Sequence, residues 1–198
     1  VDVQRTGASD LYAFDGQSKF DVIQPGDLVH CDFGITYLTL NTDCQELAYV
    51  LQPGETEAPE FLREALRQGN AVQDALTDHF KTGRTGNATL KMAIEASKAA
   101  GLRPQIYTHP LGLYGHSAGT TFGMWDAQEG IPGSGEHPLY ENTVYAIELN
   151  AKVYIEEWKK DVRVMLEEPG YYGPEGFRYV NGRQTDLILI GKKTGHLK

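Results

Sequence analysis

Val29-His30-Cys31-Asp32-Phe33-Gly34 and Asn41-Thr42-Asp43 set two aspartates eleven residues apart, across the run Ile35-Thr36-Tyr37-Leu38-Thr39-Leu40. That run is β-branched, aromatic and apolar, and it reads as two short strands joined by a tight turn. A hairpin of this size brings both carboxylates to one place. Adjacent carboxylates repel, and burying them without a partner is costly. A cation between them removes both penalties. The hairpin alone also fits a plainer role, with Asp32 ending a strand and Asp43 in a solvated loop. The remainder of the chain weighs against that role.

On the N-terminal side, Gln24-Pro25-Gly26-Asp27 is a turn that launches the strand Leu28 to Phe33. Residues 1–20 are polar, with a turn at Phe14-Asp15-Gly16. On the C-terminal side, a strand from Glu46 to Leu51 stops at Gln52-Pro53-Gly54. Phe61, Leu62, Ala65, Leu66, Val72, Leu76 and Phe80 then recur at helical spacing, which predicts a helix over 59–80 with Thr56 as N-cap candidate. His79 falls at its surface or end. A second helix spans about 88–100 and stops at Gly101.

The second half reads as strands: 106–109, 117–125, a long alternating 143–155, 162–167, 177–180 and 187–190, the last two about an Asn181-Gly182 turn. A Gly- and Pro-rich loop fills 126–140. Strands, two helices, then strands indicate an α+β class.

The 198 residues suit one domain occupying the whole chain. The net charge is −9, with no basic run longer than two residues, which disfavours binding nucleic acid through its phosphates. No apolar stretch is long enough to span a membrane. Cys31 and Cys44 lack zinc spacing and read as small strand residues without a disulfide. With Val1 in first place and no signal peptide, the chain reads as the C-terminal part of a longer polypeptide. Any targeting segment would lie upstream, and the cytoplasm is the default compartment.

Three further segments offer ligands: Thr108-His109-Pro110-Leu111-Gly112-Leu113-Tyr114-Gly115-His116, Tyr145-Ala146-Ile147-Glu148-Leu149-Asn150, and Arg163-Val164-Met165-Leu166-Glu167-Glu168. An acid within an apolar strand can simply mark its solvent face. Glu148 is the stronger exception, because Val144 and Ala146 on its face are apolar. Glu168 points away from Glu167, to solvent or to a place behind the ligands. Two Asp, two Glu and one His form an oxygen-rich set that suits two divalent first-row ions, Mn²⁺ above all, with Zn²⁺, Co²⁺ or Fe²⁺ as alternatives. Five ligands fill two coordination shells only if carboxylates bridge, which leaves positions open to water.

In that order, Asp, Asp, His, Glu, Glu, the chain resembles the pita-bread metallopeptidases (methionine aminopeptidase, aminopeptidase P, prolidase), and the Xaa-Pro branch most. The eleven-residue step between aspartates and the seven-residue step from His109 to His116 both fit. The resemblance implies a curved antiparallel sheet backed by helices, with the fold's N-terminal helices largely missing from this chain. It implies hydrolysis of a peptide bond near a free N-terminus of a short peptide, attacked by a hydroxide bridging two metals. Asp32 would bind one metal and Asp43 both; His109 would bind one; Glu148 would be ligand and proton shuttle; Glu167 would bridge. His116 would hold substrate and oxyanion rather than metal. A homodimer is a further family expectation, and so, separately, is an N-terminal segment of the same protein that is absent from this chain.

The chain departs from the family where Asp15 replaces a usual histidine, and from the Xaa-Pro branch where Gln105 replaces a histidine and Met165 an arginine. His30, Trp125 and Tyr114 are further candidates for the substrate side, with a strand-edge role for His30 and core packing for Trp125 and Tyr114 as the plainer readings; His137 borders the cleft or stays solvated. The alternatives in function are a creatinase-like non-peptide C–N hydrolase and a non-catalytic pita-bread binding protein.

Overall fold

The computed structural model describes residues 1–7 and 22–191, so the turn expected at Phe14-Asp15-Gly16 lies outside the described residues. Strand β1 (Asp2–Gln4) pairs antiparallel with β2 (Leu28–Phe33), whose apolar residues are buried at its start and give way to exposed ones at its end. The expected hairpin follows. Strands β3 (Thr36–Tyr37) and β4 (Leu40–Asn41) form its tip, and β5 (Cys44–Val50) returns antiparallel to β2. One register runs throughout: Asp32 opposes Gln45, Phe33 opposes Cys44, and Tyr37 opposes Leu40. The turn residues Leu38 and Thr39 have φ of 46° and 72°. A type I′ hairpin needs that left-handed pair, and it strains a β-branched threonine.

Helix α1 (Glu60–Thr77) turns Leu62, Leu66, Val72 and Leu76 inward and packs beside α2 (Gly86–Ala99). Thr56 does not cap α1, whose N-cap is Pro59 without a side-chain bond; Thr85 caps α2 by accepting from the Ala88 N–H. His79 lies just past α1, its Nδ1 2.7 Å from the Ala75 carbonyl.

Beyond the helices, three segments of chain change sheet at one level. Strands β6 (Pro104–Ile106) and β7 (His109–Pro110) are separated by Tyr107-Thr108, β8 (Thr143–Ala146) and β9 (Leu149–Ile155) by Ile147-Glu148, and β10 (Lys160–Leu166) and β11 (Pro169–Gly173) by Glu167-Glu168. One member of each pair joins the sheet β10-β9-β6, which α1 and α2 cover on one face. The other joins β7-β8-β11, completed by β12 (Gly176–Tyr179). The breaks are stitched to one another. Tyr107 N donates to the Glu148 carbonyl (3.1 Å), Ile147 N to that of Glu168 (3.0 Å), and Gln45 N to that of Glu167 (2.9 Å). Phe80, stacked 5.1 Å from Phe122 and edge-on to Tyr145, Tyr172 and Phe177, fills the space beneath this line.

Several expectations are corrected. The single strand over 143–155 is two, because alternation continues unchanged through the change of sheet. Residues 117–125 form no strand, only the bridges Thr108–Phe122 and Met124–Ala127. The segments near 177–180 and 187–190 are not hairpin partners: β12 pairs with β11, and β13 (Ile188–Ile190) lies parallel to β5. Strands β1 and β11 were not expected. Glu168 points away from Glu167, and of its two expected places it takes the buried one behind the site rather than solvent. Both cysteines are free, as expected.

Candidate metal centre

The hairpin supplies the first half of the site. Its register sets Gly34 across from Asp43, so Asp32 and Asp43 are diagonal neighbours on one face. The backbones are close there, and a Cβ on Gly34 would stand 2.3 Å from the Thr42 carbonyl oxygen. The line of sheet breaks supplies the other half, His109 at the start of β7 and Glu148 and Glu167 in the breaks themselves.

The five predicted ligands and His116 converge. Asp32, Asp43 and Glu167 bring ligand atoms within 4.8 Å of one another; so do His109, Glu148 and Glu167, and so do Asp43, His109 and His116. His109 Nε2 lies 3.6 Å from Glu148 Oε2, 3.6 Å from Glu167 Oε1 and 4.0 Å from Asp43 Oδ2. Those separations are too long for hydrogen bonds. His109 and Glu167 are only 2% and 1% exposed, and His109 Nε2 and Glu167 Oε1 are buried without a hydrogen-bond partner. Two orphaned ligand atoms facing each other across a cluster of carboxylates are what a bound cation would satisfy. The His109 ring is set for that: its Nδ1 lies 3.2 Å from the Pro110 carbonyl, which as acceptor fixes the proton there and leaves the Nε2 lone pair for an ion.

Without an ion the groups compete for protons. Burial pulls His109 down, but Glu148, Glu167 and the Pro110 carbonyl outweigh it and hold the imidazole up to about 9. Burial pushes Glu167 well above the carboxylate range, and Glu148 and Asp43 add to it, while His109 pulls the other way. Asp32 and Asp43 are also raised, chiefly by burial, with Glu148 adding to both.

Gln45 joins the candidate site, though the motifs did not disclose it. Its amide nitrogen donates to Glu148 Oε1 (3.0 Å) and Glu167 Oε2 (2.9 Å), and its oxygen lies 2.9 Å from His30 Nε2. Both amide protons are committed to carboxylates, so His30 Nε2 is the donor to Gln45. His30 Nδ1 lies 3.3 Å from Asp2. His30 is thus buried behind Gln45 and reaches the ligands only through it. The signal was available in the sequence, since Gln45 follows Asp43 by two residues on the same strand face. Glu168 anchors the break from behind, accepting from Gln73 and, at 2.8 Å, from the Gln184 backbone N–H.

His116 is exposed, its ring 4.2 Å edge-on from that of His109, with Tyr107 stacked 5.8 Å away. Trp125, half exposed, lines the cleft beside Glu148 with Gln105, Tyr107 and Asn150. Tyr114 and His137 are exposed.

Comparison with known structures places the fold. An X-Pro aminopeptidase from Thermotoga maritima superposes with a TM-score of 0.66 at 20% identity, over 90% of this chain and 46% of that one. The prolidase from Pyrococcus horikoshii gives 0.59 at 22% identity, over 84% and 43%. The N-terminal domain of FACT complex subunit SPT16 from Cicer arietinum gives 0.62 at 14% identity, over 95% and 44%. The chain therefore spans less than half the length of each, and shares the pita-bread fold with them. No curated protein matches it in sequence. The sequence profile of metallopeptidase family M24 matches residues 6–183, a span that includes all five candidate ligands, and the chain belongs to family M24.

Proposed function

We propose that the chain is the catalytic part of a metal-dependent peptidase that hydrolyses a peptide bond near a free amino terminus, with Xaa-Pro peptides as its first candidate substrates and two divalent ions, Mn²⁺ preferred, as its cofactor. The observation that carries this reading is the pair of buried, unpartnered ligand atoms, His109 Nε2 and Glu167 Oε1, converging with Glu148 and Asp43. Because the fold is shared by proteins with different names and tasks, the proposal rests on the site rather than on the architecture.

Asp32, Asp43, His109, Glu148 and Glu167 would hold the ions. Bound there, divalent ions supply a water acidic enough to attack at neutral pH and an electrophile for the scissile carbonyl. Glu148, the more accessible of the two glutamates, takes the proton from the attacking water and delivers it to the departing amine. His116, exposed beside the His109 ring, donates to the oxyanion. Gln45 holds Glu148 and Glu167 in place while their other oxygens serve the ions.

The test is hydrolysis of Xaa-Pro dipeptides and tripeptides by the chain with added Mn²⁺, wild type beside Glu148→Gln and His116→Ala. Loss of about 10²–10⁴-fold in kcat for Glu148→Gln, and about 10²-fold for His116→Ala, is expected. Wild-type activity that survives both substitutions would refute the assignment. A metal-loaded chain that cuts no peptide would favour the creatinase-like or binding-protein reading.

A further inference from the structure

Outward from the metal centre, the open face of the sheet β10-β9-β6 carries a row of three cations. Arg163 and Lys152 are direct partners across β10 and β9. Lys152 N donates to the Arg103 carbonyl (2.9 Å), which puts Arg103 beside Lys152 on the other flank. Cations directly opposite one another destabilise a sheet, and the chain as a whole is strongly acidic. The three line one cleft of about 690 Å³ with Gln105, Asn150 and Trp125, and its lining among the described residues holds no carboxylate. Arg103 is paired with Asp161 at the rim (2.6 Å), and Asp2 feels Arg163. Lys152 has Asp161 as its nearby opposite charge, already shared with Arg103.

The cleft is continuous with the metal site. Gln105, Trp125, Asn150 and Arg163 also line the smaller cavity that contains Glu148. Arg163 stands four residues from Glu167 along its strand, about 13 Å. Its guanidinium leans back toward the metals to donate to Gln105 Oε1 (2.8 Å), two residues nearer, and Asn150 fixes the same oxygen from the other side (2.8 Å). That leaves about 7 Å to the ligand carboxylates, the reach of two extended residues.

We infer that this cleft receives a carboxylate of the peptide whose scissile bond lies at the metal centre, so that short anionic peptides are the favoured substrates. The inference rests on the peptidase reading for the placing of the scissile bond, and on the cationic row for the carboxylate. The carboxylate can be the C-terminal one or that of an acidic side chain.

Three peptides separate these sources: Ala-Ala-Ala as the free acid, its C-terminal amide, and Ala-Ala-Glu-amide. Their binding is measured by calorimetry on the Mn²⁺-loaded chain carrying Glu148→Gln, and their kcat/KM on the otherwise wild-type chain. The free acid is expected to bind about tenfold tighter than the neutral amide, a ratio that Lys152→Gln halves or better and Lys152→Glu abolishes. Lys152 is exposed, so circular dichroism should report an unchanged fold. If the glutamyl amide matches the free acid, the cleft takes any carboxylate; if it binds like the neutral amide, the cleft reads the chain end. Equal binding of acid and neutral amide, or a preference untouched by Lys152→Glu, overturns the inference even if peptides are cleaved. A preference that persists while nothing is cleaved upholds the cleft and removes the peptidase reading.

Discussion

Replacing Gln45 with leucine removes two hydrogen bonds to carboxylates without opening a large cavity. The amide nitrogen donates to Glu167 at 2.9 Å and to Glu148 at 3.0 Å, in a site where the residue is buried. Hydrogen bonds to charged acceptors contribute roughly 1.5–3 kcal/mol each. Part of that returns through relaxation and through water reaching Glu148, which is the more accessible partner. Glu167 has no such recourse, and its Oε1 is already unpartnered. Its carboxyl, pushed up by burial, would then hold its proton to still higher pH and compete harder with a cation. Loss of an outer partner of this kind weakens metal binding by about 10–100-fold, or about 1.4–2.7 kcal/mol. Chelator-competition titration of Mn²⁺ at pH 7 reads this directly, with circular dichroism to confirm the fold. Affinity within twofold of wild type in a folded Gln45→Leu chain would refute the claim that Gln45 holds the two glutamates.

Gly34→Ala should separate the aspartate strands, because the added Cβ would meet the Thr42 carbonyl at 2.3 Å; Mn²⁺ affinity should fall at least tenfold while the melting temperature of the metal-free chain drops only a few degrees. Gly69→Ala adds helix propensity, yet its Cβ would lie 2.6 Å from Val164 Cγ1, so thermal unfolding should show a net loss of about 1–3 kcal/mol. In chelator, stability should fall as pH rises. Glu167 and Glu168 are raised above their unfolded values, Glu168 to about 7, and His109 is raised to about 9. Each raised group favours the folded state below its unfolded pKa and loses that contribution as pH climbs through its folded one. The metal-free melting temperature should therefore decline between about pH 5 and 9, whereas saturating Mn²⁺ should reverse the slope, because Glu167 and His109 must shed protons to bind it. A metal-free profile that rises over that range would contradict the shifts.

The hairpin was legible because a period of two residues and a turn-sized gap are local features, and the ligands because acids and histidines stand out in apolar strands. The change of sheet at Ile147-Glu148 was not, since side chains alternate in the same way whether a strand stays in one sheet or passes to another. Strand β11 was hidden by Pro169, Gly170 and Gly173, which look like turn residues. In the structure Gly170 is there to admit the Phe177 ring, which a Cβ would meet at 2.3 Å. The choice between a solvent-facing Glu168 and one behind the ligands was not legible, because its donors, Gln73 and Gln184, come from distant parts of the chain. The cationic row could not be seen at all, because Arg103, Lys152 and Arg163 become neighbours only through the register of three strands.

The central claim is that the converging carboxylates and His109 form a metal centre. Elemental analysis of the purified chain after Mn²⁺ loading and desalting, wild type beside Asp43→Ala, tests it most directly. About two ions per chain are expected in the wild type and a large loss in the variant, since Asp43 faces both Asp32 and His109. A folded wild type that retains no metal under any loading condition, or equal metal in both proteins, would contradict it.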